Sequence, residues 1–394
     1  MDNTKKLNIE YFSLQSLFWM TYCMVVGFSV TYLLSCGYSN SEAGYILASA
    51  NICALILQPF FADLADRSKK INAMTIFLVS IEIIFVCSIG LFFIGVRSLI
   101  LTLIYVVMIT LANAVIAFLT SIQFLMDTSK SKINFGLCRA GGSLCFAILS
   151  ALMGIMIERI GMKSIPLALF IITLLIIGLC IFITRHSING NIKAVLTLEK
   201  KRSSSLFVFF NENPRFMILS IAMLFIYYAH AFITNFTISI VRNVGGDNRE
   251  MGYLIAFMAL MELPGMIGFK EISRRFKVSS LLLFSMIMFS IKAIIVWLSP
   301  SLMTLTFGFA LQVVSFAIYI PASVQYANII IDEKDTVKAQ MMFNLMQTGG
   351  AVFSSIIGGW LIDFSGISHA LLIGAILSCI GTIIAFAGIQ NTKR

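Results

Sequence analysis

Long apolar runs separated by short polar loops dominate the sequence. Twelve runs can be counted, and most reach the roughly 20 residues that an α-helix needs to cross a bilayer. They lie at 11–34, 43–62, 71–94, 98–122, 135–157, 165–184, 215–241, 251–269, 279–298, 302–327, 338–361 and 367–389. The pattern predicts an all-α integral membrane protein with twelve transmembrane helices.

Composition agrees with this class of protein. Of the 394 residues, 59% are hydrophobic and only 12% are charged, whereas a soluble domain carries about 25% charged residues. The eight cysteines are scattered singly, without the spacings that are typical of disulfide frameworks or structural zinc. No nucleotide-binding loop, metal cluster or catalytic triad stands out. We therefore expect no enzyme activity, no cofactor and no metal.

The distribution of Lys and Arg predicts the orientation. The net charge is +10, and 21 of the 28 basic residues fall on the side of the membrane that holds both termini. Five fall on the opposite side: Arg97, Arg159, Lys163, Arg242 and Arg249. This positive-inside bias predicts cytoplasmic termini in a cell (inner) membrane. Because the charges sit in short loops, they do not indicate a nucleic-acid surface.

The two halves of the sequence repeat each other. The stretch 41–45 (SEAGY) opens the second run, and 249–253 (REMGY) opens the eighth, 208 residues later. The fifth and eleventh runs share a Phe and a Gly-Gly pair, in FGLCRAGGS at 135–143 and FNLMQTGGA at 343–351. The repeat predicts two pseudo-symmetric bundles of six helices.

Two six-span repeats joined by a polar segment resemble the major facilitator superfamily. We predict an N-terminal bundle at 1–188, a cytoplasmic linker at 189–213 and a C-terminal bundle at 214–394. The resemblance implies a substrate site between the halves, near the membrane midplane. It also implies a small-molecule substrate, protons and the lipid bilayer as partners, and a monomer.

The loop between the second and third runs resembles a signature of that superfamily. It contains Asp66 and Arg67, followed by Lys69 and Lys70. An aspartate here can engage a helix end or a basic residue in one conformation and release it in another. Asp66 and Arg67 are therefore predicted to form a gating loop. An ordinary basic cytoplasmic loop is the alternative.

Two motifs of the first half resemble lactose permease and the related oligosaccharide, nucleoside and phenylpropionate proton symporters. They are Gln-Pro-x-Phe at 58–61 and Phe-Gly-x-x-Arg-x-x-Gly at 135–142. The resemblance implies that Arg139 binds the substrate. It also implies that Phe146, seven residues later, stacks on the substrate.

Four charged residues lie inside predicted spans: Glu82, Arg139, Glu262 and Lys292. A charge at the bilayer centre costs about 2.5–3.5 kcal/mol or more. In the second half of the repeat, the position equivalent to Arg139 holds a neutral residue, Gln347. The charges are therefore not needed for the fold, and they predict a polar cavity. Glu262 and Lys292 are predicted to bind substrate, and Glu262 and Glu82 to couple protons. A static pair of Glu262 and Lys292 is the alternative.

Further polar residues are candidates for the same cavity. His230 follows Tyr227 and Tyr228 in the seventh run, and an imidazole can relay protons near neutral pH. A hydrogen-bonded interior histidine is the alternative. Five amides either line the cavity or join helices by hydrogen bonds: Asn235, Gln312, Gln325, Asn328 and Gln347.

The function predicted from these features is secondary active transport. We expect proton-coupled uptake of a small polar organic solute, which is a sugar or oligosaccharide, a nucleoside or an aromatic acid. Proton-antiport efflux of drugs or metabolites is the alternative, although the proline of the antiporter motif is missing from 141–154. A third alternative, a sensor or scaffold without transport activity, would be expected to carry an added soluble domain.

Overall fold

The computed structural model describes residues 3–67, 71–127, 133–188, 206–332 and 335–392. Every regular element within these ranges is a helix. Eleven helices are long and apolar enough to cross a membrane, and a bent pair at the N-terminal end raises the number of spans to twelve. The prediction of an all-α protein with twelve spans is confirmed.

The chain divides into two compact units, Met1–Leu198 and Glu199–Arg394. The six spans of the first unit are built from Asn3–Tyr22, Cys23–Gly27 and Ser29–Ser35; Asn40–Arg67; Ala73–Phe93; Leu99–Ala114 and Ile116–Met126; Phe135–Ile160; and Ser164–Ile183 with Thr184–Ile188. Those of the second unit are built from Pro214–Asn235 and Thr237–Asn243; Asn248–Arg275; Val278–Leu298; Leu302–Ala310, Leu311–Val313 and Phe316–Ile330; Thr336–Phe353, Ser354–Gly358 and Gly359–Ser365; and Ile367–Gly388.

The described part of the predicted linker, residues 206–213, includes the short helix Leu206–Glu212. Its Phe209 is fully buried in the hydrophobic core of the second unit, so this end of the segment is anchored by apolar contact. Residues 189–205 lie outside the described residues. The predicted domain boundaries stay a prediction.

The repeated sequence at the second and eighth spans is a pair of helix starts. Glu42 accepts a hydrogen bond from the backbone N–H of Ser39 at 3.0 Å. Glu250 accepts one from the backbone N–H of Asp247, also at 3.0 Å. Each glutamate thereby satisfies a backbone donor that the helix leaves unpaired, as in a capping box. Glu42 also forms an ion pair with Arg97.

The first and seventh spans break at equivalent residues. Phe28 and Phe236, which are 208 residues apart, separate the helical segments and are both fully buried. Their backbone φ angles are −104° and −105°. A buried phenylalanine therefore lies at each helix break. The repeat between the two units includes these breaks as well as the helices.

The glycine pair of the fifth span permits close contact with the first span. A Cβ atom at Gly141 would lie 2.0 Å from the ring of Phe12, and one at Gly142 would lie 2.5 Å from Cδ1 of Trp19. Any larger residue would therefore push the two helices apart. The short separation brings Trp19 beside the residues that follow Arg139.

The glycine pair of the eleventh span provides a test of this packing. A Cβ at Gly350 would lie 2.6 Å from the carbonyl oxygen of Leu224, whereas one at Gly349 would make an ordinary contact at 3.5 Å. We expect Gly350→Ala to destabilise the protein by about 1–3 kcal/mol through overpacking. Gly349→Ala is the matched control because both changes gain the same helix propensity. Thermal unfolding of the two purified variants checks this. Equal midpoints would contradict the close contact.

Candidate functional site

Three polar side chains of the second unit meet at mid-depth in their spans. They are Glu262 of the eighth span, Lys292 of the ninth and Gln312 of the tenth. At 1.5 Å per residue, each lies about 15–21 Å from the start of its span. That depth is close to the middle of a hydrocarbon core of roughly 30 Å.

Gln312 links the two charged groups. The Lys292 Nζ donates a hydrogen bond to the Gln312 Oε1 at 2.6 Å. The Gln312 Nε2 donates to the Glu262 Oε1 at 3.0 Å. The carboxamide therefore stands between ammonium and carboxylate, with its dipole aligned to both. Glu262 and Lys292 are thus joined through Gln312, and the static pair raised as an alternative stays a prediction.

Two further contacts of Lys292 are with a sulfur atom and an aromatic ring. The residue is 1% exposed, its Nζ lies 4.0 Å from the Met258 sulfur, and it lies 5.5 Å from the centre of the Phe309 ring. Sulfur is a weak acceptor, and an ammonium has three donors. The charge of Lys292 is therefore stabilised mainly by Gln312 and, through it, by Glu262.

A helix break places Gln312 between the two charges. It lies in the single turn Leu311–Val313, which interrupts the tenth span. Gly265, three residues after Glu262, lies so close that a Cβ there would be 2.4 Å from the Val313 carbonyl oxygen. The eighth span thus contacts the break directly, and the glycine fixes the separation across which Glu262 reaches Gln312.

His230 lies in an aromatic enclosure of the same unit. Its ring stacks on Phe316 at 5.0 Å and meets Phe289 and Tyr227 edge to face at 5.2 and 5.3 Å. The residue is 8% exposed, and its Nδ1 has no hydrogen-bond partner among the described residues. The relay role of His230 and the alternative of a hydrogen-bonded interior histidine both stay predictions.

In the first unit, Arg139 reaches deeper than its backbone position indicates. The fifth span starts at Phe135, where the Asn134 side chain caps the Leu137 N–H. Arg139 donates from Nη1 to the Ser143 Oγ at 2.8 Å. Its guanidinium therefore lies at the level of Ser143, about 12 Å from the helix start at 1.5 Å per residue.

An aromatic residue that the sequence did not single out contacts Arg139. The guanidinium carbon lies 4.0 Å from the centre of the Trp19 ring, which is the geometry of a cation–π contact. Trp19 is held in turn, since its Nε1 donates to Gln15 at 3.0 Å and Gln15 donates to the Tyr11 hydroxyl at 2.7 Å. Gln15, Trp19 and Tyr22 are spaced four and three residues apart. This spacing alone predicts that they share one face of the first span.

A second polar group of the first unit was also missed. The Tyr22 hydroxyl donates to the Asn113 Oδ1 at 3.0 Å, and the Asn113 Nδ2 donates to the Asn51 Oδ1 at 3.0 Å. Gln58 donates to the Asn113 carbonyl oxygen at 3.3 Å. These residues come from the first, second and fourth spans, so only the fold brings them together.

The remaining predicted residues are Phe146 and Glu82. Phe146 is half-buried beside Gly27, where a glycine Cβ would be 3.9 Å from its ring. Glu82 is exposed on the face of the third span that also exposes Val79 and Val86. Their predicted roles stay predictions.

The gating prediction falls partly outside the structure. The second span ends at Arg67, and the side chains of Asp66 and Arg67, with the loop residues 68–70, lie outside the described residues. Within the described ranges, no group of three or more His, Cys, Asp or Glu side chains is placed to hold a metal ion.

Three other predicted amides join helices, and one of them, Asn328, accepts a hydrogen bond from the Gln340 Nε2 at 3.1 Å. Asn235 donates to Ser355 at 3.1 Å, and Gln347 donates to the Tyr319 hydroxyl at 2.9 Å. These bonds match the interhelical alternative.

Twelve spans in two repeated units, with ionisable groups at mid-depth, are typical of a transporter. A family model described as the MFS_1 like family matches residues 6–372. The chain belongs to this family. Membership makes it a multi-pass membrane transporter of the major facilitator superfamily. The resemblance to the lactose permease branch within it stays a prediction.

Individual relatives agree with this assignment. The chain is 21% identical to the maltose permease of Geobacillus stearothermophilus over 347 residues, 88% of this chain and 85% of the relative. It is 25% identical to the uncharacterized transporter YwbF of Bacillus subtilis (strain 168) over 361 residues, 87% of this chain and 83% of the relative. The crystal structure of the nucleoside transporter NupG matches with a TM-score of 0.77 at 14% identity, covering 98% of both chains. The predicted major facilitator fold is confirmed.

Proposed function

We propose that this transporter takes up a small polar organic solute together with protons, by alternating access. The observation that carries the proposal is the linked group of Glu262, Gln312 and Lys292 at mid-depth. A charge at this depth is energetically costly, so a carboxylate found there is a candidate for a functional site.

Protonation of Glu262 changes the energy of the whole group. A neutral carboxyl accepts a weaker hydrogen bond from Gln312 than a carboxylate does. Lys292 then loses the nearby negative charge that offsets its burial. Because these residues lie on three spans, the proton occupancy of Glu262 is linked to the arrangement of those spans. His230 and Glu82 are proposed as further proton-handling groups.

Arg139 is proposed to bind the solute. Its guanidinium offers several N–H donors in one plane, and Trp19 beside it provides an aromatic face. A solute ring that carries hydroxyl groups can accept hydrogen bonds from the guanidinium and pack its apolar face on the Trp19 ring. The maltose permease and nucleoside transporter among the similar proteins favour a sugar or a nucleoside as the solute. Phe146 is proposed to stack on it.

We propose further that the protein works as a monomer in the cell membrane with cytoplasmic termini. The excess of Lys and Arg in the loops on the side of the termini supports this orientation. Gating by Asp66 and Arg67 belongs to the same proposal.

Transport in proteoliposomes tests the proposal. Labelled maltose, uridine and phenylpropionate are offered with the lumen more alkaline than the medium, and one of them is expected to accumulate. A protonophore should abolish accumulation, and liposomes without protein are the control. Accumulation that is independent of the pH gradient would contradict proton coupling. Accumulation driven by a gradient of the opposite sign, with the lumen more acidic than the medium, would support the proton-antiport efflux alternative.

A further inference from the structure

Tyr22, Asn113 and Asn51 form a hydrogen-bonded chain across three spans of the first unit. By residue count, Asn51 lies about 17 Å and Asn113 about 21 Å from the starts of their helices. Both positions are near the middle of a hydrocarbon core of roughly 30 Å. The chain of bonds therefore lies at the depth where hydrophobic side chains are expected.

The direction of the bonds leaves a donor at the Asn51 end. Tyr22 donates to Asn113, and Asn113 donates to the Asn51 oxygen. A carboxamide nitrogen carries two N–H groups. The side-chain nitrogen of Asn51 donates a hydrogen bond to none of the described residues. Asn51 is half-buried, so this nitrogen is not sealed inside the unit.

An unmatched amide donor cannot face lipid at this depth at low cost. Transfer of such a group into hydrocarbon without a hydrogen bond costs several kcal/mol. Water or a polar solute must therefore meet the Asn51 amide. This conclusion depends on the first unit alone and not on how the two units are arranged.

The group is held rigidly. Asn113 is fixed at three points, by Tyr22, by Asn51 and by Gln58, whose Nε2 donates to the Asn113 carbonyl oxygen. That carbonyl lies next to the break at Val115 between the two helices of the fourth span. Asn51 and Gln58 are seven residues apart, on one face of the second span. A donor positioned in this way is preorganised for a ligand.

The group is also continuous with Arg139. The Tyr22 ring lies 5.3 Å from the Trp19 ring, and Trp19 contacts the Arg139 guanidinium. Aromatic faces and hydrogen-bond donors therefore alternate along one surface.

We propose that Asn51, Asn113 and Tyr22 form a subsite that donates a hydrogen bond to an uncharged oxygen of the transported solute, a hydroxyl, ether or carbonyl group. The rings of Trp19 and Tyr22 lie against the apolar face of the same solute. The identity of the ligand as the transported solute rests on the proposed function, whereas the hydration of Asn51 does not.

Cysteine accessibility tests the hydration directly. In a background without the eight native cysteines, Asn51→Cys is treated in membranes with a membrane-impermeant methanethiosulfonate reagent on both sides. It should react about tenfold faster or more than Leu175→Cys, because only a hydrated thiolate is reactive. Leu175 is the stringent control, since it is 55% exposed and lies on an apolar face of the sixth span with Ile171 and Leu174. Equal or slower reaction at Asn51 would overturn the subsite.

Matched tyrosine variants test the role in binding. With the panel solute that is taken up, Tyr22→Phe should raise KM about fivefold to tenfold, the value of one hydrogen bond, and leave kcat unchanged. Tyr32→Phe is the control, because its hydroxyl donates to the Leu91 carbonyl in the same unit, and KM should not change. Asn51→Leu should act like Tyr22→Phe, and the double variant should be no worse than either.

The outcomes separate the subsite from proton coupling. Equal effects of Tyr22→Phe and Tyr32→Phe, or fully additive effects in the double variant, would overturn the subsite even if uptake depends on protons. Uptake that is insensitive to a protonophore, with the predicted KM effects intact, would overturn coupling and support the subsite. If no panel solute is taken up, the cysteine comparison decides.

Discussion

Glu262→Gln is expected to abolish accumulation of the solute while exchange of solute across the membrane continues. With one proton per neutral solute, each pH unit of gradient corresponds to about 1.4 kcal/mol and supports about tenfold accumulation. The accumulation ratio should therefore fall from about ten to about one per pH unit. Glutamine keeps the shape and can still hydrogen-bond to Gln312, but it does not exchange a proton. Counterflow of labelled against unlabelled solute measures the exchange that survives.

Glu271→Gln is the matched control. Glu271 lies in the same helix as Glu262, but it is exposed and paired with Arg274 at 2.8 Å. Surface ion pairs contribute little, so this variant should accumulate solute as the unchanged protein does. Normal accumulation by Glu262→Gln at every pH would remove Glu262 from the coupling mechanism.

Arg139→Gln is expected to fold and insert normally and to lose most of its affinity for the solute. A hydrogen bond to a charged group contributes about 1.5–3 kcal/mol, which corresponds to a roughly tenfold to 150-fold weaker Kd. The repeat already carries glutamine at the equivalent position, Gln347, where the helix forms normally. Arg139→Lys should be intermediate, because lysine keeps the charge but lacks the planar fork that lies over Trp19.

Equilibrium binding of the solute identified in proteoliposomes, with purified and monodisperse protein, measures this loss. Arg274→Gln removes an arginine from an exposed ion pair and should bind normally. A well-folded Arg139→Gln with undiminished affinity would remove Arg139 from the site. Loss of protein yield together with binding would instead indicate a structural arginine.

The helices were predictable because their signals are local. Hydropathy gave the twelve spans, and the repeated glutamates Glu42 and Glu250 marked two helix starts that the structure shows to be caps. The depth of Arg139 was less predictable. Counting residues locates only its Cα, whereas the side chain extends along the helix toward Ser143.

Contacts between distant spans were beyond the sequence. Nothing local connects Tyr22 with Asn113 or Asn51, since their bonds join residues more than 60 positions apart. Gln312 was one of five polar residues that the sequence could not rank. It occupies the central position because the tenth span breaks there, and the turn Leu311–Val313 contains no proline or glycine to signal the break.

Proton movement caused by the solute shows directly whether uptake is coupled to protons through Glu262. De-energised cells that express the protein, in lightly buffered medium, are given the identified solute while the external pH is recorded. We expect a rise in external pH with the unchanged protein and with Glu271→Gln, and no rise with Glu262→Gln or with a protonophore present. Uptake of the labelled solute at the normal rate with no change in external pH would contradict the account.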